Sequence, residues 1–165
     1  MHRAKRIGRV LFPLAAVALV CFIWGNSLAD GQASGGLSGR VTQAVNQGIQ
    51  AVSPGWAVTE HLVRKSAHFA EHWALGVCLT GTLACYGIRL RQGLGWVMFA
   101  CLLVPAVDEG IQLFSPGRSS SVGDVWLDFA GACAGVLAAL AAVGICRALQ
   151  KRGRNAAQWP ENGHI

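Results

Sequence analysis

His61, Lys65, His68 and His72 recur at steps of four, three and four residues, which places them on one face of a helix with Arg64 and Glu71 on its flank. Two further segments carry groups of matching chemistry. Asp108, Glu109 and Gln112 close one apolar run, and Asp124 and Asp128, one helical turn apart, open another. Ionisable side chains in apolar helices are costly unless paired or hydrated, so a set that converges from three helices marks a candidate site. Glu71 and His68 are the types a general acid or base requires. Lys65 and Arg118 supply charge for a phosphate or carboxylate, with Arg118 equally able to pair with one of the acids.

Two enzyme patterns can be written on these residues. HFAEH at 68 to 72 matches HxxEH, in which histidines one turn apart hold zinc and the glutamate serves as base. Spacing fixes no third ligand, although Glu109, Asp124 or Asp128 can supply one. The alternative is an interhelical hydrogen-bond network joining His68 and Glu71 to Lys65 and the acids. We adopt the network as the expectation, with no metal and no cofactor. A hydrolase triad of Ser119, Ser120 or Ser121 with His68 and Asp108 is a third pattern, but no nucleophile elbow surrounds those serines.

The elements that must position these groups are membrane helices. A chain of 165 residues that is 53% hydrophobic and 13% charged is too apolar for an ordinary soluble domain. Its net charge of +6 comes from short basic runs beside apolar segments, with no interleaved aromatics, so nucleic acid is not the expected partner. The six cysteines lie inside apolar stretches without a CxxC pair and read as small hydrophobes. Crossing the hydrocarbon core takes about 20 helical residues. Runs near that length fall at about 7–24, 67–88, 94–114 and 125–146, the third continuing past Pro105 through Asp108 and Glu109. The expected fold is therefore an all-α bundle of four transmembrane helices, with residues 1–6 and 147–165 as basic ends and 25–66 as an external loop.

Cytoplasmic flanks carry the excess of Lys and Arg. An inside amino terminus puts Arg3, Lys5, Arg6, Arg9, Arg89, Arg91, Arg147, Lys151, Arg152 and Arg154 in the cytoplasm, leaving only Arg40, Arg64, Lys65 and Arg118 outside. The polar cluster then faces the exterior. The first run can also be read as a cleaved leader, with small residues Ser27 and Ala29 after its apolar core. Between 30 and 60, Leu37, Val41, Ala44, Val45, Ile49 and Val52 recur at helical spacing, which predicts a short amphipathic helix on the outer surface, as a connector or as a lid. Pro54 and Gly55 end it. Gly131 and Gly135 form a GxxxG pair that allows close helix approach and, between copies, a homo-oligomer. Four helices without an inverted repeat or inner-half polar residues offer no transport path.

RKSAHFAEHWALG at 64–76 and DEGIQLFSPGRSSSVGDVWLDFAGACAG at 108–135 together resemble the VanZ-like family of bacterial membrane proteins. The residues that carry the resemblance are Lys65, His68, Glu71, Asp108, Glu109, Gln112, Phe114, Pro116, Arg118, Asp124, Asp128, Gly131 and Gly135, and WGNS at 24–27 resembles the polar step that ends the family's first span. The chain departs from the pattern at His72, where the family usually has tyrosine, and at Asp128, where it usually has asparagine. The first departure weakens the zinc reading, and the second adds a charge that His72 is placed to pair with. The resemblance implies a cell-envelope protein linked to resistance against teicoplanin, a glycopeptide with a lipid tail. The implied partners are membrane lipid and a lipoglycopeptide or lipid-linked cell-wall precursor. Lys65, His68, Glu71, Asp108, Glu109, Gln112, Arg118 and Asp124 are the expected ligand-binding residues. Two alternatives stand beside binding: an enzyme acting on such a precursor through Glu71 or His68, and a structural membrane subunit.

Overall fold

The computed structural model describes residues 2–28, 31–118 and 120–157. Five helices follow in order: α1 (His2–Leu28), α2 (Gly31–Val52), α3 (Glu60–Tyr86), α4 (Leu90–Gln112) and α5 (Val122–Ala157). Three of them, over Lys5–Leu28, Leu90–Gln112 and Val122–Asn155, are long and apolar enough to cross a membrane. The chain is thus an all-α, multi-span membrane bundle. α3 is equally long but carries the polar face of the candidate site through its first half, which keeps it out of that set. Its start lies well before the apolar run at 67, because Thr59 caps it by accepting from Leu62 N at 3.3 Å. Gly87, at φ 72°, ends it in the left-handed conformation that a side chain would resist.

Packing follows an inside-out logic suited to lipid. Val10, Leu11, Leu14, Val17 and Phe22 of α1, Trp96 and Phe99 of α4, and Leu137 and Ile145 of α5 are all exposed. The buried apolar residues form two small clusters, one around Ile23, Leu75 and Val104, the other around Val97, Cys101, Ala132 and Val136. All six cysteines are free thiols. α1 is part of the bundle, packing on α3 and α4. It contributes the fully buried Ile23 and Ser27, which removal as a leader would take away.

The largest interface joins α3 to α5, which run parallel. Glycine makes it possible. A Cβ on Gly76 would strike Ala132 O, one on Gly135 would strike Trp73 O, and one on Gly131 would lie 2.6 Å from Phe69 O. The GxxxG pair is therefore occupied within the chain, and a homo-oligomer through it would have to displace α3. α2 is a full 22-residue helix, longer than its pattern suggested. Its main packing partner is α3, and Asn46 accepts from Val58 N at 2.8 Å while donating to Val58 O at 3.0 Å. Val41, Val45 and Val52 on it are exposed; the Leu37 side chain lies outside the described residues. No described α2 side chain lines the polar cavity, which favours the connector over the lid. α5 continues as helix through Arg147, Lys151, Arg152 and Arg154, all exposed.

Candidate functional site

The first turns of α3 and α5 and the last turns of α1 and α4 meet at one end of the bundle. Arg9 marks the opposite end by donating to Cys85 O at 3.0 Å. At the polar end, Lys65 Nζ meets Asp124 Oδ1 at 2.5 Å, with both side chains partly exposed. One turn deeper, Asp128 Oδ2 lies 4.0 Å from His68 Nδ1 and 3.7 Å from His72 Nδ1. The positions where the chain departs from the family pattern, His72 and Asp128, thus face each other across the α3–α5 seam. His72 is fully buried and donates from Nδ1 to His68 O at 2.9 Å. A carbonyl only accepts, so in the neutral imidazole Nε2 carries the lone pair.

α4 brings in Asp108, Glu109 and Gln112, all buried. Gln112 Nε2 donates to Asp108 Oδ2 at 2.9 Å and to Ser27 Oγ at 3.2 Å, while Glu109 Oε2 accepts from Ser121 N at 2.9 Å. Ser115 ties the same corner together by donating to Ser27 O at 2.7 Å. A cavity of about 40 Å³ opens among Arg64, Lys65, His68, Glu109, Arg118, Asp124 and Asp128. It has room for a few waters or a small ion.

Arg118 takes a partner other than an acid. Its Nη2 donates to Asn26 O at 2.7 Å, and among the described residues no carboxylate forms an ion pair with it. The guanidinium therefore fastens the α4–α5 loop to the end of α1, and its Nε is left buried and unpartnered at the cavity wall. Burial lowers its pKa, and the nearby Asp108 and then Arg64 act in opposite directions on it.

Of the expected binding residues, Lys65, His68, Glu109, Gln112, Arg118 and Asp124 line the cavity, whereas Asp108 and Glu71 do not. Glu71 is part-buried, with Oε2 unpartnered. His61 is exposed on α3, outside the cluster. Ser119 lies outside the described residues, and neither Ser120 nor Ser121 lines the cavity. Two sets have geometry suited to a metal: His68, His72 and Asp128, and separately Asp108, Glu109 and Asp128, each with ligand atoms within 4.8 Å of one another. Sequence reasoning left Ser27 and Asn26 out of the site, although WGNS, the polar end of an apolar run, was their signal. Trp24 of the same string donates to Val104 O at 3.2 Å and fixes α1 against α4.

These features define a polytopic α-helical membrane protein with a largely buried cluster of ionisable side chains at one end of its helices. The VanZ/LLP1 family model matches residues 12–145, from within α1 to within α5. The chain belongs to that family and is a VanZ-like protein of the bacterial cell envelope. No curated protein and no solved structure matches it.

Proposed function

We propose that the chain crosses the membrane four times, α3 included, with both termini in the cytoplasm, and that its outer-face site binds the anionic part of a lipid-anchored or lipoglycopeptide ligand. The observation that carries this reading is Arg118, whose Nε is buried and lacks an acceptor in a cavity wall that it shares with Arg64, Lys65 and the acids Glu109, Asp124 and Asp128. A guanidinium in that state favours a phosphate or carboxylate oxygen. Ligand capture at the outer leaflet is sufficient for glycopeptide resistance, since teicoplanin and its lipid-linked targets meet there.

The test is expression in a susceptible Gram-positive host, with inhibitory concentrations of teicoplanin and vancomycin measured for wild type and Arg118→Gln at matched membrane levels. A rise for teicoplanin that the variant loses supports the site. No rise in wild type overturns the resistance role. A second reading, an enzyme acting on a lipid-linked envelope precursor, is favoured by the unpartnered, part-buried Glu71 Oε2, the group a general acid or base would present. Turnover of a purified lipid-linked precursor, abolished in Glu71→Gln, would replace binding with catalysis.

A further inference from the structure

Asp108, Glu109 and Asp128 are 0%, 6% and 2% exposed, and they bring carboxylate oxygens within 4.8 Å of one another. Among the described residues no lysine or arginine makes an ion pair with any of the three; the one Lys-carboxylate pair is spent on Asp124. Three buried carboxylates without a lysine or arginine partner are strongly unfavourable as anions unless protons or a cation neutralise them. Five buried polar atoms in the same cluster also lack partners: Asp108 Oδ1, Asp128 Oδ1, His68 Nδ1, His72 Nε2 and Glu71 Oε2. In native interiors such atoms are nearly always satisfied. So dense a group of unpartnered oxygens and imidazole nitrogens has the donor set a cation would take.

We propose that His68, His72 and Asp128 bind a divalent transition-metal ion of the zinc class, with Asp108 and Glu109 beside it to balance charge. The two histidines are one turn apart on α3, and Asp128 reaches them from α5. His72 uses Nδ1 on the carbonyl of His68 at 2.9 Å, which leaves Nε2 as its nitrogen for an ion; since Nδ1 is the atom that stands 3.7 Å from Asp128 Oδ2, the ring must turn to present it. His68 Nδ1 stands 4.0 Å from Asp128 Oδ2, so small side-chain rotations bring both to coordination distance. The mixed imidazole and carboxylate donors suit zinc and its neighbours better than calcium or magnesium. His68 and Asp128 also line the cavity, which supplies both an entry path and space for a coordinated water. The proposal does not depend on the lipoglycopeptide reading, since the cation answers the carboxylates rather than Arg118.

The experiment uses the full chain, purified in detergent, treated with chelator and equilibrated with Zn²⁺ against a competing dye. Bound metal is counted by mass spectrometry, and Co²⁺ is substituted for its absorption spectrum. The background carries glutamine at the other three histidines, His2, His61 and His164, to remove surface binding. One equivalent of Zn²⁺ is expected, with affinity falling more than roughly tenfold in Asp128→Asn and His72→Gln, and with a Co²⁺ d–d band lost in both. Variants are compared only where helical content and elution volume match wild type. Should a variant misfold, His68→Gln, at the cavity wall, provides the same comparison. Absence of Zn²⁺ binding in the background chain, or affinity unchanged in the folded variants, would overturn the proposal.

Discussion

Gly135→Ala is the smallest change that tests whether the α3–α5 register holds this protein together. A Cβ at Gly135 would stand 2.9 Å from the Trp73 carbonyl carbon and 3.1 Å from its Cα, with the carbonyl oxygen nearer still. These are backbone atoms, which no rotamer can move aside, so α3 and α5 must separate locally. Overpacking of this sort costs about 1–3 kcal/mol. Gly144 lies farther along the same helix with no atom within 4 Å of a built Cβ. Gly144→Ala should therefore gain only helix propensity, about 0.5–1 kcal/mol. Both substitutions gain the same helix propensity, so the two variants should differ by the overpacking cost, about 1–3 kcal/mol, with Gly135→Ala the less stable. Thermal unfolding in one detergent, followed by circular dichroism, compares them directly. Equal shifts, or a more stable Gly135→Ala protein, would refute the close packing and with it the placement of Asp128 against His68 and His72.

Three further outcomes follow from individual contacts. Lys65→Met or Asp124→Asn should lower unfolding stability by less than about 1 kcal/mol, since their ion pair is partly exposed, while abolishing any teicoplanin protection; a larger loss would make the pair a structural one. Ser27→Ala should cost about 1 kcal/mol, and Gln112→Leu about 1–3 kcal/mol, because the latter strips the donor from the fully buried Asp108; the same melts rank them, and a reversed order would contradict the network. In a chain with its native cysteines replaced by alanine, a membrane-impermeant maleimide should label Arg40→Cys in intact cells and Arg89→Cys only after lysis. The opposite pattern would invert the proposed topology.

Much of this arrangement was legible because the helical period alone fixes which residues share a face. The steps joining Lys65, His68 and His72, the turn between Asp108 and Gln112, and that between Asp124 and Asp128 each survive as one polar stripe in the bundle. The partner of Arg118 was not legible. Its acceptor is the main-chain carbonyl of Asn26, and a carbonyl oxygen carries no residue identity for a sequence to display. The same holds for Ser115, which donates to Ser27 O, and for His72, which donates to His68 O. The start of α3 was obscured for a different reason. Apolar runs report the part of a helix that faces lipid, whereas Thr59 and the charged turns after it report a hydrated end.

Asp128 shows how packing and chemistry share one cause. It lies three and seven residues before Gly131 and Gly135, on the same face of α5. Wherever the glycines admit α3, the carboxylate must turn toward α3 as well. The matches run in parallel order: Lys65 with Asp124, His68 and His72 with Asp128, Phe69 with Gly131, and Trp73 with Gly135. A slip by one turn would lose every one of them at once, placing Cβ atoms against backbone and leaving the carboxylates without their imidazoles. The close seam in the apolar half is thus what holds the buried charges in register at the polar end. It follows that a glycine variant such as Gly131→Ala, whose added Cβ would meet Phe69 rather than a cavity side chain, should still disturb the geometry between Asp128 and the two histidines.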